Sequence, residues 1–184
     1  VLENRVRAWR VGANDTLEGI SVETNREEPI SLEWSFSPDS AFLALPYSTY
    51  VAVYDLKSHG RSRSPAAPLR PVRLDIAAHE GNARISVRKL LFRPDGRRLA
   101  VALYDRDTYR YTIQVWERSG PEAPYFTFQH RFFKQGHSIH TMAYSPNGHY
   151  LAAGGDDRRF SVWNGRLTQR HAAPADDEPH EPLV

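Results

Sequence analysis

Phe92-Arg93-Pro94-Asp95-Gly96-Arg97-Arg98-Leu99-Ala100 reads as the end of one strand, a tight turn and the start of another. Proline presets φ at the second turn position, and an Asp side chain bonds nearby backbone. The same chemistry recurs as Phe36-Ser37-Pro38-Asp39-Ser40 followed by Leu43-Ala44, and as Tyr144-Ser145-Pro146-Asn147-Gly148 followed by Leu151-Ala152. In each copy the aromatic stands two residues before the proline and the Leu-Ala pair begins five after it. Pro38, Pro94 and Pro146 are therefore architectural: they mark one turn repeated at intervals of 56 and 52 residues. A unit of that length, repeated, belongs to a propeller or an array rather than to a single sandwich.

The stretches between the turns alternate apolar and polar residues, the period of half-buried strands. Ile30, Leu32, Trp34 and Phe36 alternate with Ser31, Glu33 and Ser35, which predicts a half-buried strand over 30–36. Strands at 42–45, 50–54 and 72–77 complete that unit. A second unit has strands at 85–92, 99–104, 109–116 and 125–133; a third has them at 139–144, 150–153, 160–163 and, weakly, 167–171. Two more, at 5–11 and 17–22, precede the first unit. The expected organisation is all-β: two strands of a partial blade over 1–28, blades at 29–77, 78–133 and 134–173, and an acidic tail at 174–184 whose composition predicts disorder. Nothing reads as helix.

Bulk composition agrees with a globular chain. The 184 residues are 40% hydrophobic and 25% charged, enough for one substantial core. There is no run of about 18 apolar residues and no basic-then-apolar leader, so neither a transmembrane helix nor a secretory signal is read. Cysteine is absent, which removes disulfides and thiolate chemistry and leads to a cytoplasmic expectation. A net charge of +2 does not by itself call for a polyanion partner. A chain that opens on Val1 reads as processed, or as part of something longer.

The three units resemble WD40 repeats. Unit three carries the pattern most fully, in Gly136-His137, Tyr144-Ser145-Pro146-Asn147-Gly148, Leu151-Ala152-Ala153-Gly154-Gly155-Asp156-Asp157 and Val162-Trp163-Asn164. Units one and two close on Tyr54-Asp55 and Trp116-Glu117. The resemblance implies four-stranded antiparallel blades in a β-propeller, here a fragment of a longer ring of about seven blades. It also implies a hydrogen-bonded set of His, Ser or Thr, Asp and Trp within each blade. His137, Asp157 and Trp163 fit that structural set, but the hydroxyl position reads Ala153. In unit two it reads Val101, Trp116 supplies the indole, and Asp105 and Asp107 compete for the carboxylate role.

One face of such a ring would carry Arg26 to Glu28, Tyr47 to Thr49, His79 to Arg84, Asp105 to Arg110, Lys134 to His137 and Asp156 to Arg159. The member that breaks the repeat is Tyr104-Asp105-Arg106-Asp107-Thr108-Tyr109-Arg110-Tyr111. Leu99 to Trp116 is 17 residues, against 12 from Leu151 to Trp163 and 11 from Leu43 to Tyr54. Arg and Tyr at a hairpin tip have the composition of an interface hot spot. Asp105, Arg106, Asp107, Tyr109 and Arg110, with Arg158 and Arg159, are the partner-binding candidates. The competing reading is a solvated hairpin with internal Asp–Arg pairs.

Lys57, Arg61, Arg63, Arg70 and Arg73 form a basic loop on the opposite face, without the interleaved aromatics of a single-strand binder. His137 and His140 are three apart, so on a strand they point to opposite faces and make a poor metal pair. Asp156-Asp157 reads as a turn anchor. No phosphate-binding glycine loop, nucleophile elbow or zinc-helix motif occurs, and no catalytic residue or cofactor is assigned. The leading expectation is a non-enzymatic scaffold for protein partners, with pairing to further blades also open. A regulatory or sensor module of a larger enzyme is the alternative, and nucleic-acid binding through the 57–73 loop is the third.

Overall fold

A computed structural model of the chain describes residues 5–11, 17–23, 33–58, 69–80, 84–120, 126–134, 138–156 and 160–164. They form antiparallel sheets in chain order. The first pairs β1 (Arg5–Val11) with β2 (Leu17–Glu23). The second is β3 (Ser35–Phe36), β4 (Phe42–Pro46), β5 (Tyr50–Asp55) and β6 (Val72–Asp75), each hydrogen-bonded to the next. The third repeats this order with β7 (Ile85–Phe92), β8 (Arg98–Asp105), β9 (Arg110–Arg118) and β10 (Phe126–Lys134). The fourth holds β11 (Thr141–Tyr144), β12 (Tyr150–Gly154) and β13 (Phe160–Asn164). The expected strand at 167–171 and the tail at 174–184 lie outside the described residues.

Successive sheets pack face to face, so both faces of the middle sheets are buried and the central strands read as apolar runs rather than alternations. Along β8 the side chains divide between two cores. Leu99, Val101 and Leu103 meet Phe42, Ala44, Val51 and Val53 of the sheet before. Ala100 and Ala102, with Ile113 and Val115, meet Ile139, Met142, Leu151, Ala153 and Trp163 of the sheet after. A third core sets Val22 of β2 against Leu43, Leu45, Ala52 and Tyr54. Each fully buried side chain of this size contributes roughly 1.5–3 kcal/mol, so these inter-sheet cores dominate the stability.

The repeated turns share one backbone. In the first, Ser40 N–H donates to the Ser37 carbonyl at 2.8 Å; in the others Gly96 donates to Arg93 at 2.8 Å and Gly148 to Ser145 at 2.7 Å. The closing residue is left-handed each time, with φ of 54° at Ser40, 67° at Gly96 and 69° at Gly148. Ser37 Oγ donates to Asp39 Oδ1 at 2.6 Å and accepts from Phe42 N–H at 2.9 Å. Ser145 Oγ repeats this with Asn147 Oδ1 at 2.7 Å and Tyr150 N–H at 2.9 Å. Arg93 replaces that serine in the middle copy. Its Nε donates to the Gly148 carbonyl at 2.9 Å, and its Nη1 lies 3.3 Å from Asp95 Oδ2, so one turn is stapled to the next.

Two expectations are corrected. Residues 76–80 are a short helix, α1 (Ile76–Glu80), where continuation of a strand to Ala77 was expected. Asp75 Oδ1 accepts from Ala78 N–H at 3.2 Å, an N-terminal cap that ends β6 and starts the turn. The alternation over 30–36 also misleads where it is described: of residues 33–36 only Ser35–Phe36 are strand, Trp34 and Phe36 are 53% and 48% exposed, and residues 30–32 lie outside the described residues. Their counterparts in the next sheet, Leu90 and Phe92, are 3% and 4% exposed because β4 covers them. Among the described residues the sheet that precedes β3 has β1 and β2 alone, and no described strand covers Trp34 and Phe36 as β4 covers Leu90 and Phe92.

Candidate functional site

The end of the molecule opposite the Pro-Asp turns is built around α1 and the hairpin joining β8 to β9. Ala77 N–H donates to the Thr49 carbonyl at 3.2 Å, which ties the helix to the hairpin of the sheet before. On its other side α1 is held by β9. Gln114, fully buried, donates from Nε2 to the Ile76 carbonyl at 3.1 Å and to Glu80 Oε1 at 2.8 Å. Trp116 Nε1 donates to Gln114 Oε1 at 3.1 Å, and Thr112 Oγ1 to Glu80 Oε1 at 3.3 Å. Arg131 Nη1 stands 3.7 Å from Glu80 Oε2, whose side chain is 6% exposed.

This network contains Trp116, whereas the bonds seen for Asp105 and Asp107 lie at the hairpin turn. The carboxylate comes from Glu80, on the connection into the blade rather than in its hairpin. The sequence signal was present in Thr112 and Gln114, polar residues alternating with apolar ones on a strand buried on both faces.

The hairpin itself is long because its strands are long. Asp105 pairs with Arg110 at the end of the ladder, leaving a turn of Arg106, Asp107, Thr108 and Tyr109. Asp105 organises that turn: Oδ1 accepts from Asp107 N–H at 2.8 Å and Thr108 N–H at 3.3 Å, and Oδ2 from Thr108 Oγ1 at 2.7 Å. Arg106 N–H donates to the Arg84 carbonyl at 3.0 Å, and Arg84 Nη1 lies 3.2 Å from Asp107 Oδ1. The Asp–Arg pair seen here runs to Arg84, at the entry to β7, and so reaches outside the hairpin. Both acids are engaged, which places Asp105 and Asp107 in the frame of the turn.

Tyr109 is the outlier. Its φ is 57°, a left-handed conformation that a bulky side chain adopts at a cost of about 1–2 kcal/mol, and 73% of its surface is exposed. Arg106 and Arg110 flank it, both exposed. Below the tip Tyr104 and Tyr111 meet at 4.8 Å between ring centroids, and the Arg88 guanidinium lies 5.1 Å from the Tyr104 ring. A β-bulge between Val87 and Lys89 interrupts the ladder at Arg88.

In the fourth sheet Trp163 is buried in the core shared with the third. His137, Asp157, Arg158 and Arg159 lie outside the described residues. His140 is seen at the hairpin: its Nε2 lies 2.6 Å from Asp156 Oδ2. Asp156 N–H donates to Ser138 Oγ, and a side chain at Gly155 would collide with the Ser138 backbone. Asp156 thus anchors the turn, and its carboxylate is matched to a histidine of the same sheet. Of the basic loop, residues 59–68 lie outside the described residues; Arg73 stacks on Tyr50 at 3.6 Å and Lys57 pairs with Asp39 at 3.7 Å. Among the described residues no cluster of three or more metal-ligating side chains occurs, and no helix is long and apolar enough to cross a membrane.

Comparison with known proteins agrees with this architecture. The family model described as "WD domain, G-beta repeat" matches residues 126–164, from β10 through β13. No curated protein matches the sequence. Among solved structures, the WD40 repeats of RRP9 superpose with a TM-score of 0.58 at 19% identity, over 79% of this chain and 38% of that one. The β-propeller domain of Cps50 (Swd1) from Myceliophteria thermophila gives 0.58 at 13% identity, over 91% and 52%. A Bacteroides uniformis ATCC 8492 protein named as a candidate 6-phosphogluconolactonase gives 0.61 at 16% identity, over 88% and 44%. The chain thus spans between 38% and 52% of the length of these structures. The fold is that of a run of β-propeller blades, and the match to the WD repeat lies at residues 126–164.

Proposed function

We propose that this chain is a non-enzymatic platform for protein partners, and that the hairpin turn Arg106–Tyr109 with Arg110 is a contact surface. The observation that carries this reading is Tyr109: a large aromatic, exposed and held in a backbone conformation that disfavours it. Strain of this kind persists where the surroundings over-determine it, and it concentrates at ligand clamps and switch regions. Here the surroundings are the three bonds to Asp105 and the Arg84 anchors. A rigid turn that presents Tyr beside two Arg lowers the entropy cost of binding, and these residue types dominate interface energetics.

The likeness to the structure named as a lactonase is at 16% identity and supports the fold rather than that chemistry here. The test is a comparative pull-down with quantitative mass spectrometry, using the wild-type chain and the Arg106→Ala/Tyr109→Ala variant. The expected result is an unchanged circular dichroism melt with selective loss of captured proteins. Capture that is identical for both baits would remove this surface.

A further inference from the structure

Six charged residues surround the hairpin, and their pairing is asymmetric. Asp105 is consumed by the turn backbone and by Thr108, and Asp107 by Arg84. Among the described residues no carboxylate is ion-paired with Arg88, Arg106 or Arg110, and all three are exposed. The chain as a whole is only +2, so this is a local excess at one end of one hairpin. A guanidinium fork matches a carboxylate in two-point geometry, and a cation on an aromatic stem retains that donor set while its apolar body is covered.

We infer that the hairpin takes an acidic polypeptide segment, one that sets Asp or Glu side chains against Arg106, Arg110 and Arg88 and an apolar side chain against Tyr109. This deepens the reading of the tip as a contact surface and rests on it. A polyphosphate backbone would meet the same cations, but the tip offers a single exposed ring rather than a track of stacking platforms. The Asp107 carboxylate at the turn would also repel a continuous line of phosphates. An acidic peptide can place its charges discretely around it. Because these cations are solvated, attraction falls with salt over a Debye length of about 8 Å at physiological ionic strength, and it governs capture rate and selection as much as affinity.

The experiment is selection of phage-displayed random dodecapeptides on the wild-type chain, followed by fluorescence anisotropy of the enriched peptides and of a labelled 20-residue oligo-dT. Enrichment of Asp and Glu over the input library is expected, with binding about tenfold weaker to Arg106→Glu/Arg110→Glu and reduced by salt. Folding of each variant is checked by its melt. Enriched peptides without an acidic excess, or acidic peptides that bind the charge-swapped chain equally well, would overturn the inference. If such neutral peptides are still lost on Tyr109→Ala, the tip stands as a surface and only its acidic preference falls. If no peptide responds to any of these substitutions, the tip itself is refuted. Oligo-dT that binds more tightly than every peptide and depends on Tyr109 would overturn the inference in favour of a nucleic acid.

Discussion

Glycine and alanine at position 109 separate the backbone of the tip from its ring. Both substitutions delete the aromatic, so both forfeit whatever burial the exposed ring retains. They differ in backbone freedom alone. At an ordinary strand position glycine is the worse choice by roughly 0.5–1 kcal/mol, because it has more conformations to lose on folding. At φ of 57° alanine carries a left-handed penalty of about 1–2 kcal/mol that glycine does not. The difference leaves Tyr109→Gly more stable than Tyr109→Ala by about 1 kcal/mol, the reverse of the usual order. In a chain of this size that is a shift of about 2–4 °C. Urea titration followed by far-UV circular dichroism, with the thermal melt as a second readout, measures it. Both variants are expected to lose the same partners in the pull-down. If the alanine variant is as stable as the glycine variant or more so, residue 109 is not held left-handed, and the argument from strain to function collapses.

Four further outcomes follow from the same geometry. Glu80→Ala leaves one of the two Gln114 amide N–H donors and the Thr112 hydroxyl without the acceptor they share in a buried site and is expected to cost about 1–3 kcal/mol by urea titration, with the indole fluorescence of Trp116 altered. Ser40→Gly, at φ of 54°, is expected to stabilise the chain by about 1 kcal/mol, whereas Gly96→Ala, at 67°, destabilises it by at least that much. A side chain at Gly148 would stand 2.6 Å from Arg93 Nε, so Gly148→Ala is expected to cost less in an Arg93→Ala background, a coupling of about 0.5–1 kcal/mol in a double-mutant cycle. Partial burial pushes Asp39 up, but bonds from the Ser37 hydroxyl and Ala41 amide, with the charges of Lys57 and Arg118, outweigh it and hold the carboxyl below its usual range. A depressed value stabilises the fold above the unfolded value of about 3.9 and is lost as pH falls through the folded one. Asp39→Asn should therefore be less stable than wild type at pH 7, with the gap closing in acid below about pH 4.

The fold was legible where chemistry is local. Pro38, Pro94 and Pro146 mark turns whose hydrogen bonds close within a few residues, so the repeat predicts the strands on either side of each. What the sequence hid depends on partners distant in the chain. Trp34 and Phe36 alternate like a buried strand face, and periodicity does not say whether another strand arrives to cover it. Glu80 looks like a surface acid until Gln114 and Thr112, more than thirty residues on, are folded against it. At the hairpin the extra length was visible and its form was not: it lengthens β8 and β9 and leaves a four-residue turn. The left-handed Tyr109 had no sequence signal, since glycine or asparagine ordinarily marks such a position.

The two-sided strand β8 has a further consequence, for assembly. Its large residues, Leu99, Val101 and Leu103, face the sheet before it, and its small ones, Ala100 and Ala102, face the sheet after it. A slip of one residue in register would exchange the two sets, opening a void in one core and overfilling the other. The alternation of volume along a single strand is thus an address label. It distinguishes a blade's upstream neighbour from its downstream one, and so protects the order of similarly built units against shuffling as the chain folds.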